Sequence, residues 1–189
     1  MCIRDRGGQV WHNADLLEEI NYLVEYPTPL YGRIDEEFLD LPVPAVVTPM
    51  RDHQRYYPVR KEDGSLMPYF LTVRNGGDRA IRNVQIGNER VLRARLDDAK
   101  FFFDGDRRKS LEGHREALSR INYQEGMGTM LDKSERLVKL VEAIGEDWNF
   151  TDTEKADVRR AAYLSKSDLA TGMVTEFTAV SYTHLTLPT

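Results

Sequence analysis

Residues 87–104, Gly87-Asn88-Glu89-Arg90-Val91-Leu92-Arg93-Ala94-Arg95-Leu96-Asp97-Asp98-Ala99-Lys100-Phe101-Phe102-Phe103-Asp104, constrain the fold more than any other stretch. At about 100° per residue, Leu92, Leu96, Ala99 and Phe103 fall on one narrow apolar stripe, the signature of a helix packed along one side. Asn88 is placed to cap it behind the flexible Gly87, and Asp104-Gly105 supplies a stop. Arg90, Arg93 and Asp97 project from a different side, with Arg93 and Asp97 at the i,i+4 spacing of an ion pair. That arginine face is either a solvated charged surface or a contact surface, and the helix taken alone favours the first.

Both termini read as foreign to the rest. Met1-Cys2-Ile3-Arg4-Asp5-Arg6 is the translation of ATG-TGT-ATA-AGA-GAC-AG, one strand of a transposase sequencing adapter. Residues 180–189, Val180-Ser181-Tyr182-Thr183-His184-Leu185-Thr186-Leu187-Pro188-Thr189, translate the opposite strand and its extension. Such tails are set aside before fold reasoning, which leaves about residues 7–179, expected to be an internal fragment of a longer polypeptide. The only cysteine, Cys2, goes with them, so neither a disulfide nor a cysteine-based zinc site is expected. The net charge moves from −5 to −6. No apolar run approaches the ~20 residues of a membrane span. With 41% hydrophobic and 30% charged residues, the chain has the composition of one or two soluble globular domains. Local charge matters more than the acidic total. From Arg74 to Arg95, arginines 74, 79, 82, 90, 93 and 95 face only Asp78 and Glu89, a local balance of +4.

In chain order, residues 13–26 read as an amphipathic helix capped by Asn13, with Leu16, Leu17, Ile20, Leu23 and Val24 inward and Pro27 and Pro29 beyond its end. Residues 30–34 read as a short strand. Asp35 then caps a helical turn with Phe38 and Leu39, and Pro42, Pro44 and Pro49 make 41–49 a poor place for a long regular element. Strands over 55–60 and 67–74, joined by Glu62-Asp63-Gly64-Ser65, form a hairpin in which Pro58 and Pro68 suit edge or bulge positions. Arg51, His53, Arg55, Tyr56 and Tyr57 mix cations with aromatic rings, which can contact phosphates and stack on bases. The competing reading is a strand with tyrosines packed inward and arginines exposed.

Beyond residues 105–110 the pattern becomes fully helical. Ser110 starts a helix carrying Leu111, Leu118 and Ile121, and Gly126-Met127-Gly128 makes a flexible turn. Thr129 with Asp132 forms a variant capping box before a helix with Leu137, Leu140, Val141 and Ile144 on one face, ended by Gly145. Asp132–Arg136 and Glu135–Lys139 have i,i+4 spacing on its polar side. Thr151 with Glu154 is a cleaner box opening a helix through Val158, Ala161, Ala162 and Leu169. Chemistry-bearing patterns are missing. Asn75-Gly76-Gly77-Asp78 lacks the spacing and lysine of a phosphate loop, and Ser165-Lys166-Ser167 is better explained as helical surface. His12, His53 and His114 have no metal-ligand spacing, there is no His-Asp doublet, and the carboxylates sit mostly in caps and pairs. No catalytic residue and no metal ligand is expected.

Arg51-Asp52-His53-Gln54-Arg55-Tyr56-Tyr57-Pro58, the run from Gly87 to Phe102, Asp132-Lys133-Ser134-Glu135-Arg136 and the run Lys166 to Phe177 closely resemble the β subunit family of bacterial heterotetrameric glycyl-tRNA synthetases. Asp15-Leu16-Leu17-Glu18-Glu19-Ile20 and Asp35-Glu36-Glu37-Phe38-Leu39 fit the same family, so the resemblance spans nearly all of 13–178. It implies an α+β chain: a mixed α/β tRNA-binding-like module over 7–105, followed by the start of an all-helical domain, related to HD phosphohydrolases, over 106–179. It also implies a cytoplasmic α2β2 complex in which the α subunit uses ATP and magnesium and holds the catalytic site, while β binds tRNA(Gly). This fragment would then bind no cofactor itself. The tRNA-binding candidates are Arg51, His53, Arg55, Tyr56, Arg90, Arg93 and Arg95. Two other readings stay open: a scaffold in which the arginines pair with Asp97, Asp98 or carboxylates of the helical domain, and a phosphohydrolase. The missing His-Asp pair argues against the phosphohydrolase, since Lys166-Ser167-Asp168 stands near where the family has Lys-Ala-Asp. Thr171-Gly172-Met173, where Thr-Glu-Met is usual, is a small departure.

Overall fold

The computed structural model describes residues 7–176, so both expected tails lie outside the described residues. Contacts divide the chain into two compact units, the first through Phe101 and the second from Phe102.

The first unit contains β1 (Gln9–Val10), α1 (Ala14–Leu23), β2 (Pro27–Arg33), β3 (Tyr57–Arg60) and β4 (Leu66–Asn75). Its strands form one antiparallel sheet in the order β1-β3-β4-β2. Asn13 caps α1 as expected, its side-chain oxygen accepting from the Leu16 N–H at 2.9 Å. Leu16 and Ile20 are buried with Tyr57, and Val24, Leu71 and Val73 pack around them. Leu17 and Leu23, expected inward, are 52% and 62% exposed. Only one i,i+4 row of α1 reaches the core, and the backbone turns extended at Val24 straight after Leu23.

β2 is longer than expected, seven residues on the sheet edge, where prolines at 27 and 29 are tolerated. Its register sets Gly32 opposite Phe70. A Cβ at Gly32 would lie 2.2 Å from Phe70 Cζ, so glycine is what lets that buried ring lie against the strand. Phe70 also stacks on Tyr56, with ring centroids 4.6 Å apart and planes 11° from parallel. The β3–β4 hairpin follows expectation: the register shifts between Pro58 and Arg60, and Asp63 accepts from the backbone and hydroxyl of Ser65 in the turn.

A 3-10 turn, Glu36–Asp40, buries Phe38. Residues 41–49 are more regular than expected: α2 (Val43–Thr48) runs directly into a π turn, Pro49–His53. Pro44 lies in the first turn of α2, where no N–H is required, and Pro49 opens the wider turn. Then α3 (Ile81–Asp106) begins well before the expected Asn88 cap. Its start follows Ala80 at φ 55°, with the Ile81 N–H donating to Asp78 O. Gly87 is therefore interior, a cost of about 1 kcal/mol relative to alanine, and a Gln85–Glu89 side-chain hydrogen bond of 3.1 Å spans it. The predicted stripe holds: Leu92, Leu96 and Ala99 are fully buried, and Phe103 is half-buried.

The second unit contains the end of α3, α4 (Leu111–Arg115), β5 (Asn122–Gln124), β6 (Gly128–Thr129), α5 (Met130–Asp147), α6 (Asp152–Leu164) and α7 (Gly172–Glu176). It is not all-helical. β5 and β6 pair as a small hairpin around the 126–128 turn, because Gly126 and Gly128 take positive φ and let the chain reverse tightly. The Ser110 helix is also shorter than expected, passing into a 3-10 turn at Glu116–Arg120 that buries Leu118.

Both capping boxes are complete. The Thr129 and Thr151 hydroxyls accept from the N–H groups of Asp132 and Glu154, whose carboxylates accept in return at 2.7 and 2.8 Å from the threonine N–H groups. α5 does not stop at Gly145. Asn149, at φ 55°, does the work assigned to the glycine: its N–H reaches Glu146 O and that of Phe150 reaches Gly145 O, a Schellman closure. Similarly, Lys166 at φ 70° places Leu169 in a 3-10 turn beyond α6. On α5 the expected core residue Leu140 is 55% exposed, while Ser134 is fully buried and donates toward Ala162 O and Tyr163 O at 3.3 Å. Leu137, Val141 and Ile144 of the expected face are half-buried, so the α5–α6 seam joins that face to a small buried polar residue, with Leu140 left outside. Asp106 accepts from the Gly172 and Met173 N–H groups, both at 2.8 Å, and so caps α7 from the end of α3.

Candidate nucleic-acid interface

The 51–57 motif sits where the π turn passes into β3. Arg51 is half-exposed and its Nε donates to Asp52 at 2.7 Å. It lines a cleft of about 360 Å³ with Asn13, Asp15, Leu16, Glu19 and Asp52. With Arg51 paired to Asp52 and Arg55 to Glu19, Asp15 leaves that cleft with a negative balance, a poor phosphate site. His53 is exposed. Arg55 adopts φ 56°, a left-handed conformation unfavourable by about 1–2 kcal/mol for a residue with a Cβ. Its guanidinium donates to Glu19 of α1 at 2.8 Å and to Asp52 O at 2.9 Å, so it closes the helix end and ties it to α1.

Tyr56 is 5% exposed and stacked on Phe70, and burial pushes its hydroxyl up to about 12. In this fold its ring belongs to the core and is not presented to a base. Tyr57 is also buried, and burial raises its pKa too. Of the two readings of this motif, inward tyrosines and outward cations describe the geometry.

The arginines of α3 divide in the same way. Arg93 does not pair with Asp97 on its own helix. It makes a two-point contact with Asp35, at 2.9 Å from Nη2 and 2.7 Å from Nη1, and Asp35 makes no side-chain cap to its own turn. One turn earlier, Glu89 accepts from the Arg33 N–H at 3.0 Å. These two contacts fasten α3 to the β2–3-10 corner. A lone Asp before a helical turn reads as a cap, and no local pattern marks Asp35 as the partner of Arg93.

Arg90 and Arg95 are exposed and carry no ion pair among the described residues. Arg79 is likewise exposed without an ion pair, and Arg82 donates only to the neutral Gln85, at 3.1 Å. The positive charge of the 74–95 window is therefore largely uncompensated. Among the described residues no group of three or more His, Cys, Asp or Glu could hold a metal ion, and no helix is long and apolar enough to cross a membrane.

Comparison with known proteins follows the same lines. The glycyl-tRNA synthetase beta subunit family profile matches residues 2–181. The chain is 52% identical over 171 residues to the glycine–tRNA ligase beta subunit of Clostridioides difficile strain 630, covering 90% of this chain and 25% of that protein. The Halothermothrix orenii counterpart is 50% identical over the same shares, and that of Bacillus subtilis strain 168 is 45% identical over 87% of this chain and 24% of its own length. The chain thus spans about a quarter of the length of these relatives. With a match running through both structural units, the chain belongs to the glycyl-tRNA synthetase beta subunit family.

Proposed function

We propose that this chain is a tRNA-contacting, non-catalytic part of a glycine–tRNA ligase. The whole enzyme attaches glycine to tRNA(Gly) in the cytoplasm as an α2β2 assembly. ATP and magnesium are handled by the α subunit, and the 106–179 region is the start of an HD-related domain. The observation that carries RNA contact is the uncompensated charge of Arg90 and Arg95 on α3, in an otherwise acidic chain. Backbone phosphates are the partner that such guanidinium groups suit best. Arg93 and Arg55 have a different task in this reading, since their forks are already committed to Asp35 and Glu19.

The test is tRNA binding by the complete complex across a salt series. Arg90→Ala is expected to weaken binding and to flatten the salt slope by about one unit. Arg93→Ala is expected to lower the melting temperature while leaving the salt slope of the folded complex intact. A scaffold reading is favoured by the Arg93–Asp35 pair for that residue. If Arg90→Ala and Arg95→Ala both leave affinity and slope unchanged, the scaffold reading takes the whole helix.

A further inference from the structure

Tyr56 was the aromatic expected to meet a base, and the core has claimed it; another tyrosine stands where that role can be filled. Tyr26 is 66% exposed at the entry to β2. Its backbone is clamped on both sides: the N–H donates to Asn75 Oδ1 at 3.0 Å, and the carbonyl accepts from the Gly76 N–H at 2.8 Å. The loop beyond β4 is held in turn by Arg74, whose Nη1 donates to Arg79 O at 2.8 Å. Gly76 at φ 115° and Ala80 at φ 55° set the bends that bring the chain past Tyr26 and into α3. An exposed ring is thus carried on a backbone hydrogen-bonded to the segment that leads to Arg79 and Arg82. Neither guanidinium meets a carboxylate among the described residues, and Glu25 and Asp78 are the acidic side chains beside them in sequence.

We infer that Tyr26, the 76–80 loop and the first turn of α3 form a site for an unpaired RNA nucleotide, with its base stacked on the Tyr26 ring and flanking phosphates on Arg79 and Arg82. The inference rests on the tRNA-binding reading above and assigns a stacking platform that reading lacks. A protein partner would also use an exposed tyrosine and arginines. The surplus of guanidinium charge favours a polyanion, and an exposed ring suits sequence-tolerant stacking, which every base supports.

The experiment uses the complete β subunit assembled with its α partner and labelled tRNA(Gly), with affinity measured by anisotropy across a salt series. Tyr26→Ala should weaken binding at least about fivefold, and Tyr26→Phe should restore it to within about twofold, because stacking needs the ring and not the hydroxyl. Arg79→Ala should reduce the salt slope by about 0.7, one single-strand phosphate contact. Because Arg79 is exposed and unpaired, that variant keeps a readout even if Tyr26→Ala fails to fold. Unchanged affinity in Tyr26→Ala alongside a weakened Arg90→Ala would sink this site and leave the tRNA reading standing. No effect from any of these variants would sink both. Loss of α–β assembly by sedimentation in Tyr26→Ala, with the tRNA affinity of the remaining complex unchanged, would make the patch a protein contact and overturn the inference.

Discussion

In the first unit Phe38, Met50, Val59 and Phe70 are sealed from solvent at 1% exposure or less, and Phe70 is locked between Gly32 and Tyr56. In the second, Leu118, Met130 and Ala162 are the buried apolar side chains among the described residues, and order comes from elsewhere. There the helices are held by two capping boxes, a Schellman closure, and the buried Ser134 hydroxyl. Exposed ion pairs of Arg159 with Glu142 and Lys155 with Glu146 join α5 to α6. Exposed pairs of this kind contribute little each. The contrast teaches that a sealed apolar core carries the first unit, whereas the second relies more on hydrogen bonds, some within one helix turn and some, from Ser134 and to Asp106, between distant segments. Single substitutions should therefore act with different sizes and report on different units. Trp11 lies in the first unit and Trp148 in the second, so Trp148→Phe and Trp11→Phe backgrounds give each unit its own fluorescence signal.

The largest effect is expected at the Gly32–Phe70 contact. Phe70→Ala should destabilise the first unit by about 3–5 kcal/mol, the range for emptying a buried aromatic site. Gly32→Val should be comparably severe, because its side chain would enter the space of the ring. Urea unfolding followed through Trp11 checks both; a midpoint shift equal in the Trp148 signal would mean that the two units unfold as one and that the contrast drawn above is wrong.

Thr151→Ala should destabilise the second unit by about 1 kcal/mol, the usual value for a lost N-cap. The Trp148 signal should shift and the Trp11 signal should not. Somewhat smaller is the Arg93–Asp35 link. Its side chains are 59% and 38% exposed, so a double-mutant cycle should give a coupling of about 0.5–1 kcal/mol, seen through Trp11. A coupling near zero would return Arg93 to the pool of available RNA contacts.

These sizes also explain what could be read in advance. The capping boxes, the Asn13 cap and the β3–β4 hairpin were legible because every partner lies within a few residues. The stripe of Leu92, Leu96 and Ala99 was legible because burial repeats with the helical period. What escaped depended on distant partners. Arg93 has Asp97 at a suitable spacing on its own helix and turns instead to Asp35, whose fork geometry only the fold provides. Tyr56 and Tyr26 are both tyrosines among polar neighbours, and nothing local distinguishes the ring that stacks on Phe70 from the one left at the surface. The candidate interface was therefore half legible: its charge was visible as a window, but which cations remain uncommitted was not. On α5 only Leu140 departed from the expected face, since periodicity marks an apolar face without showing which of its members the fold covers.

In the pH dependence the two units should separate by which end of the scale moves them. In the second unit Asp132 and Glu154 are held below their ordinary values by the N–H groups of Thr129 and Thr151 and then by the threonine hydroxyls. Glu112 is lowered by its own backbone N–H and then by Arg160. A carboxylate depressed in the folded state contributes stability above its unfolded pKa, about 3.9 for Asp and 4.3 for Glu. That stability is lost as pH falls through the folded values. Among the described residues the first unit has one such group, Asp63, lowered by the Ser65 hydroxyl and N–H. At the alkaline end the order reverses. Tyr56, pushed up to about 12 by burial, stabilises the first unit fully below pH about 10 and loses that contribution as pH rises toward 12, where the unfolded tyrosine is ionised and the buried one resists. Acid should therefore move the Trp148 transition first and alkali the Trp11 transition first. Asp132→Asn should blunt the acid response and Tyr56→Phe the alkaline one. If both signals shift together at both ends, the chemical division between caps and aromatic core does not govern stability.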